Sequence, residues 1–304
     1  MNPSAEFQFL AWVRRNLHSG SAVLAGPGHD TAVVRLRDRR AVLHADQCVE
    51  GVHFPRGTPW RLAGGKALLR CASDLAAAGA RPVAALVTAA LPRRLADRDR
   101  RELVLGMEGA ARRHGISIVG GDLSATRGPA VLGVTILGEL APGQKPLLRS
   151  GAEPGNLLAV TGSLGGSLRG RHLRPLPRIR EALAIREALR PRAMIDVSDG
   201  LAADLGHLLD ESGVGAIIVG AWIPLHPDAR KGRGSPLAHA LADGEDYELL
   251  FAFPRERLSR LTPLARRLRC PLTVIGQVTR RSRLLLKPDG SLRRLPKTGW
   301  EHRW

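Results

Sequence analysis

A chain of 304 residues, 44% apolar and 24% charged, has the composition of a soluble globular protein with one large or two ordinary domains. No apolar run is long enough to cross a bilayer, and the start lacks the basic and long apolar regions of a secretory signal, so a cytoplasmic protein without a membrane partner is expected. The formal charge of +18 comes from scattered arginines, and one Tyr and five Phe leave few stacking platforms for bases; anionic small molecules, not nucleic acid, are the expected partners.

Taken in order, residues 6–17 read as an amphipathic helix with Phe7, Leu10, Val13 and Leu17 near one face. The turn Gly26-Pro27-Gly28-His29-Asp30 and a strand over 31–36 follow, then a second strand over 39–44 that ends at Asp46. A helix is predicted over 60–78, carrying Lys66 and, on an otherwise small and apolar face, Asp74. Next come a strand over 82–90, a charged helix over 97–114, and a short strand over 116–119 running into the turn Gly120-Gly121-Asp122. A strand over 130–140 precedes a turn-rich joint at 149–155, beyond which a second half begins. That half holds a strand from Leu157, a Gly-rich stretch, a basic helix to Leu189, the segment Ala193 to Leu201, and a helix over 202–212. A strand over 214–219, a polar loop over 227–234, a short helix over 237–241, an acidic turn into a strand at Leu249, one helix over 255–268, and strands over 273–278 and 283–287 complete it. Both halves mix strands and helices, so the fold class is α/β (α+β) in two domains, 1–148 and 149–304.

The chemistry gathers in acidic turns. Asp30, Asp46, Asp74, Asp122, Asp196 and Asp199 each stand beside an apolar segment and small residues, in a chain with only 28 acids against 46 bases. Singly, each reads as a turn or cap aspartate. Brought together, six carboxylates require cations, and oxygen-only donors suit Mg²⁺ bridging phosphates. No Walker loop, protein-kinase signature or Gly-x-Ser-x-Gly elbow is present, and Cys48, Cys71 and Cys270 match no zinc or disulfide spacing. His44 and His53 also lack ligand spacing with cysteine and read as structural or substrate-facing.

Together the motifs resemble the thiamine-monophosphate kinases of the aminoimidazole ribonucleotide synthetase-like superfamily. The resemblance rests on Gly28-His29-Asp30, Val49-Glu50-Gly51-Val52-His53-Phe54, Ser73-Asp74-Leu75-Ala76-Ala77, Gly120-Gly121-Asp122, Arg149-Ser150-Gly151, Asp196-Val197-Ser198-Asp199-Gly200-Leu201, Gly244-Glu245-Asp246-Tyr247-Glu248-Leu249 and Gly299-Trp300. It implies ATP-dependent phosphorylation of thiamine monophosphate to thiamine diphosphate by direct in-line transfer with several Mg²⁺ ions. It also implies a homodimer formed through the N-terminal sheets. On matching positions it assigns Mg²⁺ to Asp30, Asp46, Asp74, Asp122, Asp196 and Asp199, with Asp122 and Asp199 central to catalysis. ATP falls to Gly121, Asp122, Arg149 and Ser198, and the thiamine substrate to His53, Glu245 and Trp300. The chain departs from the family pattern at His29 and Ala45, where Asp and Thr are usual, at Leu123, and at Ala242-Asp243-Gly244. Another ATP-dependent synthetase of the superfamily, or a divergent paralogue that binds nucleotide or nucleic acid, is the alternative reading at this point.

Overall fold

The computed structural model describes residues 23–25, 31–36, 39–231 and 233–301. The expected helix over 6–17 and the turn holding His29 and Asp30 lie outside the described residues.

The first half is a six-stranded sheet of order β1-β2-β3-β6-β4-β5. Its strands are β1 (Val23–Ala25), β2 (Ala32–Leu36), β3 (Arg39–Val49), β4 (Arg81–Pro92), β5 (Ser117–Thr126) and β6 (Val131–Glu139). All neighbours are antiparallel except β4 and β5, which the helix α2 (Asp97–Arg113) joins as a parallel crossover. The long α1 (Trp60–Ala77) is rich in Ala and Leu, strong helix formers, and packs with α2 on one face of the sheet. Leu68, Leu75, Leu132 and Ile136 are fully buried there, with Leu103 and Met107 of α2.

The second half is a seven-stranded sheet of order β13-β12-β9-β11-β7-β10-β8. It comprises β7 (Leu157–Thr161), β8 (Ala193–Asp196), β9 (Gly215–Val219), β10 (Leu249–Phe253), β11 (Leu272–Thr279), β12 (Arg283–Leu286) and β13 (Leu292–Arg294). Helices α3 (Ile179–Leu189), α4 (Leu201–Ser212), α5 (Pro236–Ala242) and α6 (Leu261–Leu268) cover it. Every residue of β7, β8 and β10 is buried, because both faces of the sheet are covered, which is why these strands read as unbroken apolar runs. One face forms a core with α4 and α5; the other forms a core with α3 and α6 that also takes Ala76 and Ala77 from the end of α1. The two halves therefore share buried apolar surface through α1. Backbone bonds reinforce the joint, from Leu147 N to Ala78 O (3.0 Å) and from Met194 N to Leu148 O (2.9 Å).

Four sequence expectations need correction. β3 does not end at Asp46 but continues to Val49, so Asp46 lies mid-strand, paired across to Val134 of β6. Gly120-Gly121-Asp122 is no turn either: β5 continues through it alongside β4, after an irregularity in register at Val119. The Gly-rich stretch is tolerated there because β5 is the sheet's edge, and at Gly121 it is required, since a Cβ would lie 1.7 Å from Val87 O. The single helix over 255–268 is instead a 3₁₀ segment, Arg255–Arg260, followed by α6. Pro263 has no N–H and clashes with the carbonyl four residues back, so an α-helix can start just before it but not run through it. Finally, nothing in the sequence marks β13, whose three residues are all exposed and carry no apolar alternation.

Candidate active site

The site is built on one face of α1. Lys66, Arg70, Ser73 and Asp74 stand at i, i+4, i+7 and i+8, the spacing that places side chains above one another on a helix. Each meets an opposing group. Arg70 Nε lies 2.6 Å from Asp46 Oδ2, and His44 Nε2 lies 3.1 Å from Asp74 Oδ2, both partners coming from β3. Ser73 Oγ donates to Asp196 Oδ2 at 2.6 Å, and Lys66 Nζ sits 2.5 Å from Glu245 Oε2, both partners coming from the second half. Lys66 is fully buried and also donates to His53 O. Burial lowers its pKa, with the Glu245 carboxylate opposing that shift.

On the other side stands the loop between β8 and α4. Asp196, the last residue of β8, is buried, while Ser198 and Asp199 are half-buried on the turn. Asp204, in the first turn of α4, reaches back with Oδ2 to accept from the amides of Ser198 (3.0 Å), Asp199 (3.0 Å) and Gly200 (3.1 Å). Burial pushes the Asp204 carboxyl well up, and the charges of Asp199 and Asp196 push it the same way. Three amides converging on one oxygen hold the loop in a single shape.

Two distant segments dock onto that loop. Glu245 N donates to Ser198 O (2.6 Å), Tyr247 N to Val197 O (2.8 Å), and Val197 N in turn to Glu248 O (2.7 Å). Glu245 and Tyr247 adopt left-handed backbone, with φ of +52° and +54°, a strained state costing on the order of 1–3 kcal/mol each that the docking bonds and the buried Tyr247 ring offset. Gly244 must be glycine for the approach to close, because a Cβ would lie 2.6 Å from Ser198 O. Glu248 is anchored by Thr161 Oγ1 (2.5 Å) and by Arg178 through two bonds of 2.7 and 2.6 Å; Asp246 accepts from Gly165 N and Arg171. The second segment is the chain's end, where Trp300 N donates to Asp199 O at 2.9 Å while the Trp300 side chain stays half exposed. Glu245, Ser198, Asp199 and Trp300 are thus gathered by backbone bonds around one turn.

The remaining expected residues fall as follows. His53 is half-buried beyond β3, and its Nδ1 accepts from Val49 N (2.9 Å), which places the ring proton on Nε2. Arg149 lies in the joint, half-buried, with its carbonyl accepting from Ser212 Oγ (3.0 Å). Gly121 and Asp122 are exposed on β5. The pairings Asp46–Val134, Val134–Val87 and Val87–Gly121 run directly across the sheet, so Gly121 stands three strand spacings, about 14 Å, from Asp46. Among the described residues, one group of three metal-capable side chains places its donor atoms within 4.8 Å of one another: His44, Asp46 and Asp74. Asp122, Asp196 and Asp199 stand outside that group.

Four contributors lie outside the residues that the sequence motifs single out, and Arg70 is one, since an arginine on a helix gives no sign of its partner. Lys66 was placed on its helix but given no role, although a lysine amid buried Ala and Leu was a signal. Asp204 was passed over, although an aspartate four residues after the helix-opening Gly200 is placed to reach back to that turn. His44 was read alone, whereas it shares a strand face with Asp46 two residues on.

Residues 28–140 match the family description AIR synthase related protein, N-terminal domain, and residues 153–287 match its C-terminal domain. The thiamine-monophosphate kinase of Rhodopirellula baltica is 39% identical over 293 residues, 92% of this chain and 91% of that protein. The chain belongs to this family. Its fold is the family's pair of AIR synthase-like domains, as the sequence motifs led one to expect. Two solved structures extend the likeness. AaThiL complexed with AMPPCP and TMP superposes with a TM-score of 0.84 at 30% identity, over 98% of this chain and 97% of that one. Thiamine-monophosphate kinase from Stenotrophomonas maltophilia K279a gives 0.75 at 33% identity, over 94% and 97%.

Proposed function

We propose that this protein is a thiamine-monophosphate kinase that transfers the γ-phosphoryl group of ATP directly to the phosphate of thiamine monophosphate. The observation that carries this reading is the docking of Glu245 and Trp300 onto the turn that holds Ser198 and Asp199. That docking supports Glu245 and Trp300 as an acceptor-binding wall beside Ser198 and Asp199. A thiazolium cation is recognised by an aromatic face and a carboxylate, which Trp300 and Glu245 supply, and His53, tied to Glu245 through Lys66, completes the wall. Gly121, Asp122, Arg149 and Ser198 bind the nucleotide, with Arg149 as the phosphate-directed cation. Asp122 and Asp199 are the carboxylates to which catalysis is assigned.

The donor set fits Mg²⁺, since every residue assigned to it, Asp30, Asp46, Asp74, Asp122, Asp196 and Asp199, offers carboxylate oxygen. When bound, the metal neutralises charge on the phosphate oxygens. The chain's own part is positioning: Arg70 and Ser73 orient Asp46 and Asp196, Asp204 fixes the turn, and Lys66 holds Glu245. The domains divide at 148/149. The protein works as a cytoplasmic homodimer joined through the N-terminal sheets, a reading supported by Leu86, Val119 and Leu123, large apolar side chains 49%, 64% and 64% exposed on β4 and β5. No helix among the described residues is long and apolar enough to cross a membrane.

The test is to follow the products by ³¹P NMR with ATP, Mg²⁺ and thiamine monophosphate. Thiamine diphosphate should form with the wild-type chain and be lost in Asp122→Asn and Asp199→Asn chains of unchanged circular dichroism. Full turnover by both variants would remove these carboxylates from the site.

A further inference from the structure

His44 is a donor of a different kind from the carboxylates around it. Strand alternation sends His44 and Asp46 to the same face of β3, over α1, where Asp74 meets them. One ligand atom from each of the three lies within 4.8 Å of the other two, and His44 Nε2 stands 3.1 Å from Asp74 Oδ2. All three side chains are half-buried, with 18% exposure at His44, 17% at Asp74 and 26% at Asp46, and His44 Nε2 itself is shielded from solvent, so an ion held there exchanges water for these ligands. Asp46 is held in place by Arg70 on Oδ2 and by its neighbour's amide, Gln47 N, on Oδ1 at 2.7 Å. Each carboxylate oxygen accepts in two directions, so the ion pair and the amide bond orient Asp46 without using up its capacity. The Arg70 charge opposes a cation here, and the two carboxylates outweigh it.

Imidazole adds little to a site for Mg²⁺, a hard ion that takes oxygen. A mixed nitrogen and oxygen set favours first-row transition ions, with affinity rising along the series that begins at Mn²⁺. We infer that in this chain His44 is a metal ligand beside Asp46 and Asp74, and that this position selects a divalent transition cation such as Mn²⁺ over Mg²⁺. The inference rests on the metal-binding role proposed above for Asp46 and Asp74 and adds a nitrogen donor and a metal preference to it.

The experiment titrates Mn²⁺ alone, without nucleotide, into the full chain, reading free Mn²⁺ by EPR and the bound ion's nitrogen couplings by electron spin-echo modulation. Wild-type protein should show ¹⁴N modulation from a coordinated imidazole, and Mg²⁺ should displace the ion only at about tenfold or greater excess. His44→Gln should lose the modulation and weaken Mn²⁺ binding about tenfold or more, with unchanged circular dichroism. Bound Mn²⁺ without ¹⁴N modulation in the wild type, no Mn²⁺ binding, or a His44→Gln chain that keeps both signals would overturn the inference. The wild-type spectrum decides the point even if the variant fails to fold. Turnover of thiamine monophosphate with Mg²⁺ is measured on the same samples. Turnover without nitrogen coupling sinks the His44 ligand alone, and nitrogen coupling without turnover sinks the kinase reading alone.

Discussion

Replacing Lys66 with methionine removes a buried cation whose ion pair with Glu245 ties α1 to the second half of the chain. Methionine preserves most of the volume, so the cost is electrostatic. Lys66 Nζ sits 2.5 Å from Glu245 Oε2, and the lysine side chain is fully buried while that of Glu245 is 17% exposed. Breaking a buried pair by removing one member costs about 3–5 kcal/mol, because the survivor keeps its charge without a partner. Partial access of water to Glu245 sets the expectation at the low end, about 3 kcal/mol. Loss of the donor to His53 O adds about 1 kcal/mol. Tyr247 is a poor substitute, its hydroxyl being 3.5 Å from Glu245 Oε1. The assay is urea unfolding of the wild type, Lys66→Met, Glu245→Gln and the double variant. Neutralising Glu245 in the Lys66→Met background should return about 2 kcal/mol, so the two changes are far from additive. In the kinase assay Lys66→Met should raise KM for thiamine monophosphate more than for ATP, since the lysine holds Glu245 and His53. A loss below about 1 kcal/mol, or costs that add within about 0.5 kcal/mol, would refute the coupling.

Other predictions follow from the same contacts. Ser73→Ala leaves the buried Asp196 without its 2.6 Å donor and should cost about 2 kcal/mol in chemical denaturation. Asp204→Ala strips the acceptor from three loop amides, so hydrogen exchange at Ser198, Asp199 and Gly200 should accelerate before that of β7 does. Gly121→Ala places a methyl 1.7 Å from Val87 O and should detach β5 at that point, read as lost amide protection from Gly121 to Leu123. Asp246 gives a pH signature: burial, opposed by Gly165 N and Arg171, raises its carboxyl to about 7. Between the ordinary carboxylate value near 4 and about 7 the native state binds the extra proton, so stability falls as pH rises, by up to about 1.4 kcal/mol per unit. Asp246→Asn should flatten that part of the stability profile.

Much of the frame was legible because it depends on local pattern. The apolar runs at Leu157 and Leu249 announced buried strands, and α1 and α2 fell within a residue of their expected ends. Strand or turn at Asp46 and Gly121 was misread because glycine and aspartate usually end strands, whereas here pairing on a neighbouring strand carries the chain through. The acidic segments could be picked out from sequence as candidates, but the bonds that hold them in place could not. Lys66 meets Glu245 across 179 positions and Ser73 meets Asp196 across 123, separations at which no periodicity speaks. The motif from Asp196 to Gly200 thus turns from a set of candidate ligands into a junction, receiving Ser73, Asp204, Glu245, Tyr247 and Trp300.

The role proposed for this junction is to bring ATP and thiamine monophosphate together for direct transfer. Its most direct measure is ADP release with ATP and Mg²⁺ in three parallel reactions, with thiamine monophosphate, with thiamine, and with no acceptor. ADP release should follow thiamine monophosphate alone, one equivalent per thiamine diphosphate formed. Equal ADP in all three reactions, or none in any, would contradict it.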